Sequence, residues 1–315
     1  MKKLLFLINP LSGKTEGRNI HEKLVSILSH HLPRHGYDIV KTEPDIKKQL
    51  KDMAEGYETV VAVGGDGTIS SVIHTLITLE RTSPIGVIPI GTGNDLARSL
   101  GLLAIKDLES LVRVVLKRKT EKVDVLTVNN HYVCVNYMGF GNDARILSDF
   151  EKIRRNPANH HLFKGSMGKA VYAFAAIWSL THKIPRGAEL SFVTQKKERQ
   201  KRVLDTRVRG ILISNINSYG GGTIPSSRSR TDDGLFEVTV VRSMKEWAVL
   251  HLARVFKKPV NVLCPGMLQF QAMQADISLP APAFCQVDGE IIGALSETKK
   301  TISIRMHSPV EMVVP

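Results

Sequence analysis

Three polar loops follow predicted β-strands, and their residue types suit the binding of a polyphosphate. The loops read Asn9-Pro10-Leu11-Ser12-Gly13-Lys14, Gly64-Gly65-Asp66-Gly67-Thr68 and Gly91-Thr92-Gly93-Asn94-Asp95. Glycine-rich connections from a strand to a helix expose backbone N–H groups, which bind phosphate oxygens. Carboxylates beside a phosphate are unfavourable unless a cation lies between them, and Mg²⁺ is the usual one. The three loops therefore indicate a site for a nucleotide and a divalent cation.

Each loop also has a purely structural explanation. Glycines are common in tight turns, and Asn94 and Asp95 are residue types that often begin a helix. The functional interpretation is favoured because two acidic turns, at Asp66 and Asp95, follow strands of one predicted sheet. In that interpretation Thr92 and Asn94 bind phosphate, and Arg98 neutralises charge one helical turn later.

The first loop gives a weaker signal. A Walker A motif would need glycine at position 8, where the chain has Ile8, so this is not a P-loop. Asn9, Ser12 and the backbone amides are suited to contact a nucleotide, but a simple helix entry explains them equally well.

The elements that must position these loops are strands alternating with helices. Apolar runs at 4–8, 37–40, 59–63 and 85–90 predict four strands, and helical spacing appears at 20–32, at 45–55 and after residue 68. Such alternation predicts a parallel sheet covered on both faces, with ligands at the carboxyl ends of its strands.

The pattern changes after residue 123. Short alternating runs with polar turns, among them single strands at 123–128 and 132–137, predict an antiparallel sandwich or barrel, and Asn129–Asn130 is typical of a hairpin turn. Two helices are predicted within this part, at 166–181, whose apolar stripe favours core packing over a lipid groove, and at 244–256. We therefore expect an α/β chain of two domains, an α/β nucleotide-binding domain at 1–127 and a β-sandwich at 128–315.

Two later turns carry further carboxylates. Arg230-Thr231-Asp232-Asp233-Gly234-Leu235 is a turn whose carboxylates and carbonyls could hold a hard cation, although Asp-Gly turns are usually only solvated. Asp288-Gly289-Glu290 ends an apolar run, and Glu290 is a candidate general base. From the residues alone, a plain hairpin turn is the better explanation at both places.

Composition narrows the classes of partner. The net charge of +13 and the pI near 9.7 predict attraction to polyanions, either as a solvated basic surface or as a surface facing an anionic membrane. An aromatic content of 6% and the absence of an RNA-binding signature argue against nucleic acid. Three widely spaced cysteines favour a cytoplasmic protein, and no apolar run is long enough to span a membrane.

Taken together, these motifs resemble the diacylglycerol kinase catalytic domain family, which includes bacterial lipid kinases and is related to sphingosine and ceramide kinases. The resemblance rests on 9–13, 64–68, 91–98, 232–234 and 288–290, which occur in the family's order and span nearly the whole chain. Gly-Gly-Asp-Gly alone would be ambiguous, because NAD kinases and phosphofructokinases are similar there.

The resemblance implies an ATP- and Mg²⁺-dependent lipid kinase with its active site between the two domains. The residues that it assigns to ATP are Asn9, Pro10, Ser12, Gly13, Lys14, Thr42, Gly64, Gly65, Gly67, Thr68, Ser71, Thr92 and Asn94. It makes Glu290 the proton acceptor, and it has Asp66, Asp95 and Asp124 organise Mg²⁺–ATP and the acceptor, with Arg98 nearby. A separate structural Mg²⁺ would bind the Asp233 side chain and the carbonyls of Arg230 and Leu235.

Several alternatives stay open at this point. The acceptor is most readily diacylglycerol, but phosphatidylglycerol and sphingoid bases also present a hydroxyl beside an apolar tail. An NAD kinase-like enzyme and a non-catalytic regulator that binds nucleotide or lipid are the competing functions. The basic surface also suggests peripheral contact with anionic membranes, and the resemblance suggests a homodimer. Related chains often return to the first domain after their last strand, and we expect this chain, which stops at Pro315, to lack that return segment.

Overall fold

The computed structural model describes residues 3–13, 16–43, 45–53, 56–155, 184, 186–292 and 301–315. Lys14 and the helix predicted at 166–181 lie outside the described residues. Strands and helices are numbered here in chain order within the described part of the chain. No helix there is both long enough and apolar enough to cross a lipid bilayer.

The first part of the chain alternates strands and helices, as predicted. Its strands are β1 (Lys3–Ile8), β2 (Tyr37–Lys41), β3 (Tyr57–Gly64), β4 (Ile85–Pro89) and β5 (Thr120–Val123). Its helices are α1 (Glu16–His31), α2 (Ile46–Asp52), α3 (Asp66–Thr78), α4 (Asp95–Ser99) and α5 (Leu108–Lys117), with single 3₁₀ turns at Arg34–Gly36 and Leu102–Ala104.

The second part is mainly antiparallel. Its strands are β6 (Leu126–Val128), β7 (Tyr132–Cys134), β8 (Tyr137–Gly141), β9 (Ala188–Val193), β10 (Arg199–Leu204), β11 (Gly210–Ser214), β12 (Phe236–Val241), β13 (Leu268–Ala272), β14 (Gln274–Ser278), β15 (Cys285–Val287), β16 (Glu290–Ile291), β17 (Thr301–Met306) and β18 (Val310–Val313). Its helices are α6 (Asn142–Arg155), α7 (Met244–Phe256) and α8 (Val260–Leu263).

The first sheet has the order β2-β1-β3-β4-β18-β5. Strands β1 to β4 are parallel. The apolar residues of β1, β3 and β4 are buried on both faces, as their near-continuous apolar runs require, whereas those of the edge strand β2 are half-buried. The carboxyl ends of these strands lie at one edge, so the three glycine and asparagine loops start from neighbouring positions. This confirms the predicted α/β fold of the first part.

The expected absence of a return segment is wrong. The last strand, β18, pairs in parallel with β4 and antiparallel with β5, inside the first sheet. Met312 and Val313 are buried there in the first core. The chain therefore crosses between the two parts twice, and residues near its C-terminus belong to the first sheet. The division at residues 127 and 128 otherwise stays a prediction.

The second part is the predicted β-sandwich. Its two antiparallel sheets have the orders β10-β9-β14-β17-β6-β7 and β13-β12-β11-β8-β15-β16, and their facing apolar side chains form one core. The Asn129–Asn130 hairpin is confirmed, because both residues have positive φ and join β6 to β7. A smaller apolar cluster lies between β11 and β12 of the second sheet and α7.

Candidate active site

The three loops meet at the edge of the first sheet, where glycine is sterically required. The Asn9 side chain donates a hydrogen bond to the Thr68 hydroxyl over 2.8 Å, which joins the first loop to the start of α3. A Cβ atom on Gly91 would lie 2.5 Å from the Cα atom of Gly65, so neither loop could approach the other with a larger residue. The close backbone approach leaves the N–H groups at the start of α3 near both neighbouring loops.

The remaining residues assigned to ATP lie around these loops. Thr42 follows β2, and its N–H donates to the carbonyl of Ile8 at the end of β1. Ser71 is on the first turns of α3, where its hydroxyl donates to the carbonyl of Gly67. The other described members are turn residues of the first loop, the glycines of the second, and an exposed threonine and a buried asparagine of the third: Pro10, Ser12, Gly13, Gly64, Thr92 and Asn94.

Asn94 shapes the third loop instead of pointing away from it. Its backbone is left-handed, with φ of 53°, and its side chain both accepts from the N–H of Gly91 and donates to the Gly91 carbonyl. The side-chain amide is therefore occupied by its own loop. Its effect on a nucleotide would come through the shape of that loop.

Asp66 and Asp95 form a pair of carboxylates at the starts of α3 and α4. Burial, followed by the charge of Asp95, raises the pKa of Asp66 to about 6, against the opposing effect of backbone N–H groups led by that of Leu96. Gly93 is tightly placed here, because a Cβ atom on it would lie 2.7 Å from a carboxylate oxygen of Asp66. Neither carboxylate has an ion-pair partner in the described residues, and no third metal-ligating side chain joins them there. Two such carboxylates could hold a divalent cation only together with other oxygen ligands, such as phosphate oxygens.

Asp95 is held by the second part of the chain. Its carboxylate accepts hydrogen bonds from the Ser218 hydroxyl and from the N–H of Gly221. Arg98, one turn later, donates to the carbonyl of Gly93 and lies against Gly222. Sequence reasoning missed Ser218 and Gly221, although the three consecutive glycines at 220–222, all with positive φ, are a signal for a close backbone approach.

Glu290 lines the cleft between the two parts. A cavity of about 380 Å³ is bounded by Glu290, by Gly67, Ser70 and Ser71 of α3, and by His74 two turns along the same helix. His74 was not predicted. Its pKa is lowered by burial and by Lys47, while the charge of Glu290 acts in the opposite direction. The structure thus brings the candidate base and the start of α3 into one cavity.

Asp288 fixes the turn that carries Glu290. Its carboxylate accepts from three consecutive backbone N–H groups, those of Val135, Asn136 and Tyr137, at 2.8, 2.8 and 3.1 Å. Burial raises the pKa of Asp288, against the lowering effect of these N–H groups and of the Ser70 hydroxyl. The turn is therefore attached both to the segment that joins β7 to β8 and to α3.

A second contact completes the support of this turn. The N–H of Gly289 donates to the side-chain carbonyl of Gln286, whose amide donates to Asp143 over 2.8 Å. The hydroxyl of Tyr219 also donates to Asp143. These residues form a largely buried polar chain behind Glu290, and Gln286, Asp143 and Tyr219 were not predicted as part of the site.

Asp124 lies at the other acidic turn. Its carboxylate accepts from the N–H of Gly234 over 2.7 Å, and its own N–H donates to the carbonyl of Thr231. Burial raises its pKa, with a further contribution from the charge of Asp233. None of its hydrogen bonds in the described residues is shared with Asp66 or Asp95, so its predicted role beside them stays a prediction.

The predicted metal turn has the right donor chemistry for a hard cation. The Asp233 carboxylate accepts a hydrogen bond from the N–H of Leu235. Burial raises the pKa of Asp233, and the charge of Asp232 raises it further. The Arg230 guanidinium is already paired with Asp232, which leaves Asp233 and Asp124 without a cationic partner in the residues described. Two carboxylates of this kind are ligand types that suit Mg²⁺ or Ca²⁺, but the described residues contain no group of three or more metal-ligating side chains, so the metal site stays a prediction.

Two protein-family models match this chain. The model of the diacylglycerol kinase catalytic domain matches residues 3–128, and that of the diacylglycerol kinase accessory domain matches residues 133–291. The two matches together cover both halves of the architecture.

Individual relatives agree with these matches. A diacylglycerol kinase of Bacillus subtilis is 23% identical over 300 residues, which cover 94% of this chain and 92% of the relative. One of Mycobacterium tuberculosis is 26% identical over 301 residues, covering 89% and 91%. Among solved structures, a putative diacylglycerol kinase of Bacillus anthracis superposes with a TM-score of 0.71 at 18% identity, covering 100% of this chain and 96% of that one. At that identity the superposition shows the fold alone.

Proposed function

The chain belongs to the diacylglycerol kinase family and is a lipid kinase, and we propose that it transfers the γ-phosphoryl group of ATP to the hydroxyl of diacylglycerol in a Mg²⁺-dependent reaction. The observation that carries the proposal is the cavity that Glu290 shares with the start of α3. A proton acceptor there would face the loops that are suited to polyphosphate.

The chain's own residues supply positioning and charge in this proposal. The N–H groups of the glycine loops bind the phosphates. Ser71, one of the residues assigned to ATP, also lines a cavity of about 300 Å³ together with Lys47. Glu290 takes the proton of the acceptor hydroxyl. The turn that Asp288 fixes keeps the Glu290 carboxylate at the cleft.

Mg²⁺, when bound, would neutralise the charge that develops on the phosphates. Asp66 and Asp95 would hold it, because their charges repel one another and lack a cationic partner in the described part of the chain. A second, structural cation would bind Asp233 and the carbonyls of Arg230 and Leu235. Peripheral contact with anionic membranes is part of the proposal and is supported by the net charge of +13. A homodimer and a cytoplasmic location stay predictions.

The test is transfer of label from ATP to lipid. The purified protein is incubated with γ-labelled ATP, Mg²⁺ and mixed vesicles that contain diacylglycerol, phosphatidylglycerol or a sphingoid base, and in a parallel sample with NAD in place of lipid. The labelled products are then identified. We expect labelled phosphatidic acid and a loss of at least about 100-fold in kcat for Glu290→Gln. The matched control is Glu22→Gln on the exposed face of α1, which should keep full activity.

Three outcomes would overturn the proposal. Label on NAD would identify an NAD kinase-like enzyme, and ATP binding without any labelled product would identify a non-catalytic regulator. Full turnover by a folded Glu290→Gln variant would remove Glu290 from the role of base.

A further inference from the structure

The C-terminal end of α7 presents large apolar side chains to solvent. Leu252, Val255 and Phe256 are 54%, 69% and 62% exposed, and Val262 on α8 is 53% exposed. The first three are spaced three and four residues apart and so lie on one face of the helix. We call these four residues the α7 patch. Single exposed apolar residues are common, but a group of large ones on one face marks an interaction surface.

The fold does not need the α7 patch for its own core. The opposite face of α7 buries Leu250 and Ala253 in the small cluster against the second sheet of the sandwich. The helix is also fixed at its start, where Ser243 and Glu246 form a reciprocal capping box. Because packing and capping already hold α7, the exposed apolar face is available for a partner.

The charges around the α7 patch are positive. Lys245, Lys257 and Lys258 are exposed, and none of them has an ion-pair partner in the residues that the structure describes. The one carboxylate of α7, Glu246, is buried and bonded to Arg242. A surface with apolar side chains at its centre and unpaired lysines at its rim is complementary to a bilayer with anionic headgroups.

The α7 patch is also connected to the site. Arg254, on the same turns of α7, donates to the carbonyl of Gly220 over 3.3 Å, and the next residue, Gly221, donates its N–H to Asp95. Tyr219, in the same loop, packs against His251 of α7. A partner bound to the α7 patch would therefore be separated from Asp95 only by α7 and the loop at 219–222.

We propose that the α7 patch is the membrane-docking surface of this protein, with its apolar side chains inserted among the headgroups of an anionic bilayer and its lysines bound to lipid phosphates. The proposal rests on the lipid kinase function, because a substrate held in a bilayer gives the docking its purpose. The occupant is the bilayer and not a second copy of the chain, since the unpaired lysine charge at the rim would repel an identical surface.

Vesicle binding by the full chain tests this proposal. The protein is sedimented with vesicles of phosphatidylcholine, with and without about one third phosphatidylglycerol, at low and high salt. We expect the variant with Leu252→Ser, Val255→Ser and Phe256→Ser to bind the anionic vesicles at least about tenfold more weakly. The matched control is Val203→Ser on β10, which is 48% exposed but lies on the other sheet of the sandwich, and it should bind like the wild type.

Kinetics separate this proposal from the function on which it rests. With a short-chain, water-soluble diacylglycerol, the triple variant should keep its kcat, whereas its apparent KM for diacylglycerol in anionic vesicles should rise about tenfold. If the wild type phosphorylates no diacylglycerol in either form, the proposed function fails, while vesicle binding still tests the α7 patch.

A second variant, which changes only charges, tests the proposal even if the triple variant misfolds. Lys245→Glu with Lys258→Glu keeps the apolar side chains, and we expect it to lose the preference for anionic vesicles and the salt dependence of binding. The proposal is overturned if both variants bind vesicles like the wild type. It is also overturned if the wild type self-associates in solution and the triple variant becomes monomeric, because the occupant would then be a second copy.

Discussion

The ionisation of Asp66 links the chemistry of the site to its stability. Burial and the charge of Asp95 raise the pKa of Asp66 from 3.8 to about 6. Because the folded value is the higher one, the folded state holds the proton more tightly than the unfolded chain does. Stability is therefore lost as the pH rises from about 4 to about 6, and the loss persists at neutral pH. A bound cation would offset this cost.

Replacing this carboxylate should therefore stabilise the protein while removing activity. We expect Asp66→Asn to raise the free energy of unfolding by about 1–3 kcal/mol at neutral pH in the presence of a chelator, and the gain to disappear near about pH 4. Urea denaturation across this pH range measures it. Asp52→Asn on the exposed end of α2 is the control and should show no such pH-dependent gain. A variant that is less stable than the wild type at neutral pH would contradict the assignment.

At the scale of elements, the turn between β15 and β16 positions Glu290 as well as joining the two strands. Asp288 accepts hydrogen bonds from three N–H groups where β7 joins β8 and so orients Glu290 relative to α3. We expect Asp288→Asn to lower kcat at least about tenfold, because an amide cannot accept from all three donors with equal strength, while the KM for ATP changes less than about threefold. Steady-state kinetics with a soluble diacylglycerol measure both constants.

The control for Asp288→Asn distinguishes an effect on the orientation of Glu290 from a loss of folding stability. Asp276 is also a hydrogen-bonded aspartate, but its carboxylate pairs with Arg305 on the sandwich. Asp276→Asn should lose stability without losing kcat in folded protein. If Asp288→Asn behaves in the same way, Asp288 is only a structural residue. A further variant, Ser70→Ala, removes one contact of the turn to α3 and should lower kcat by a smaller factor.

The elements that local pattern determines were predicted, and those that depend on distant partners were not. The four parallel strands and the Asn129–Asn130 turn follow from apolar runs and turn residues. The run at 123–128 was wrong as one strand, because the backbone at Asp124 leaves the sheet to bond with Thr231. The run at 132–137 also divides, where the N–H groups turn to Asp288. Arg199–Leu204 was missed as a strand because an exposed, basic edge strand has no apolar alternation.

At the scale of the whole molecule, dependence on distant partners also determines which residues of the site could be predicted from the sequence. Asp66 and Asp95 could be selected from the sequence because glycine turns and carboxylates occur together there, whereas Glu290 was selected through the family resemblance. Their supports could not, since Ser218 reaches Asp95 from 123 residues away and His74 joins Glu290 only after the two parts close on one another. Residues that act through a tertiary contact leave no local pattern in the sequence.

The two crossings between the parts of the chain make the cleft depend on the last strand. β18 follows β17 of the sandwich and pairs with β4 of the first sheet, so it ties together the bodies that carry Glu290 and Asp66. Met312 is fully buried at that point, next to Ile85. We expect Met312→Ala to lower the free energy of unfolding by about 2–5 kcal/mol, because it leaves a cavity in the first core.

The kinetic consequence distinguishes a tie between the bodies from simple packing. If β18 holds the cleft, Met312→Ala should also lower kcat under conditions in which the variant is folded, because Glu290 and Asp66 are carried by bodies that the strand connects. Val310→Ala, at the partly exposed start of the same strand, is the matched control and should cost less than about 1 kcal/mol with unchanged kcat. A Met312→Ala variant that loses stability but keeps full kcat would contradict this role of β18. The connections from β5 to β6 and from β17 to β18 would then fix the cleft without help from the packing of β18.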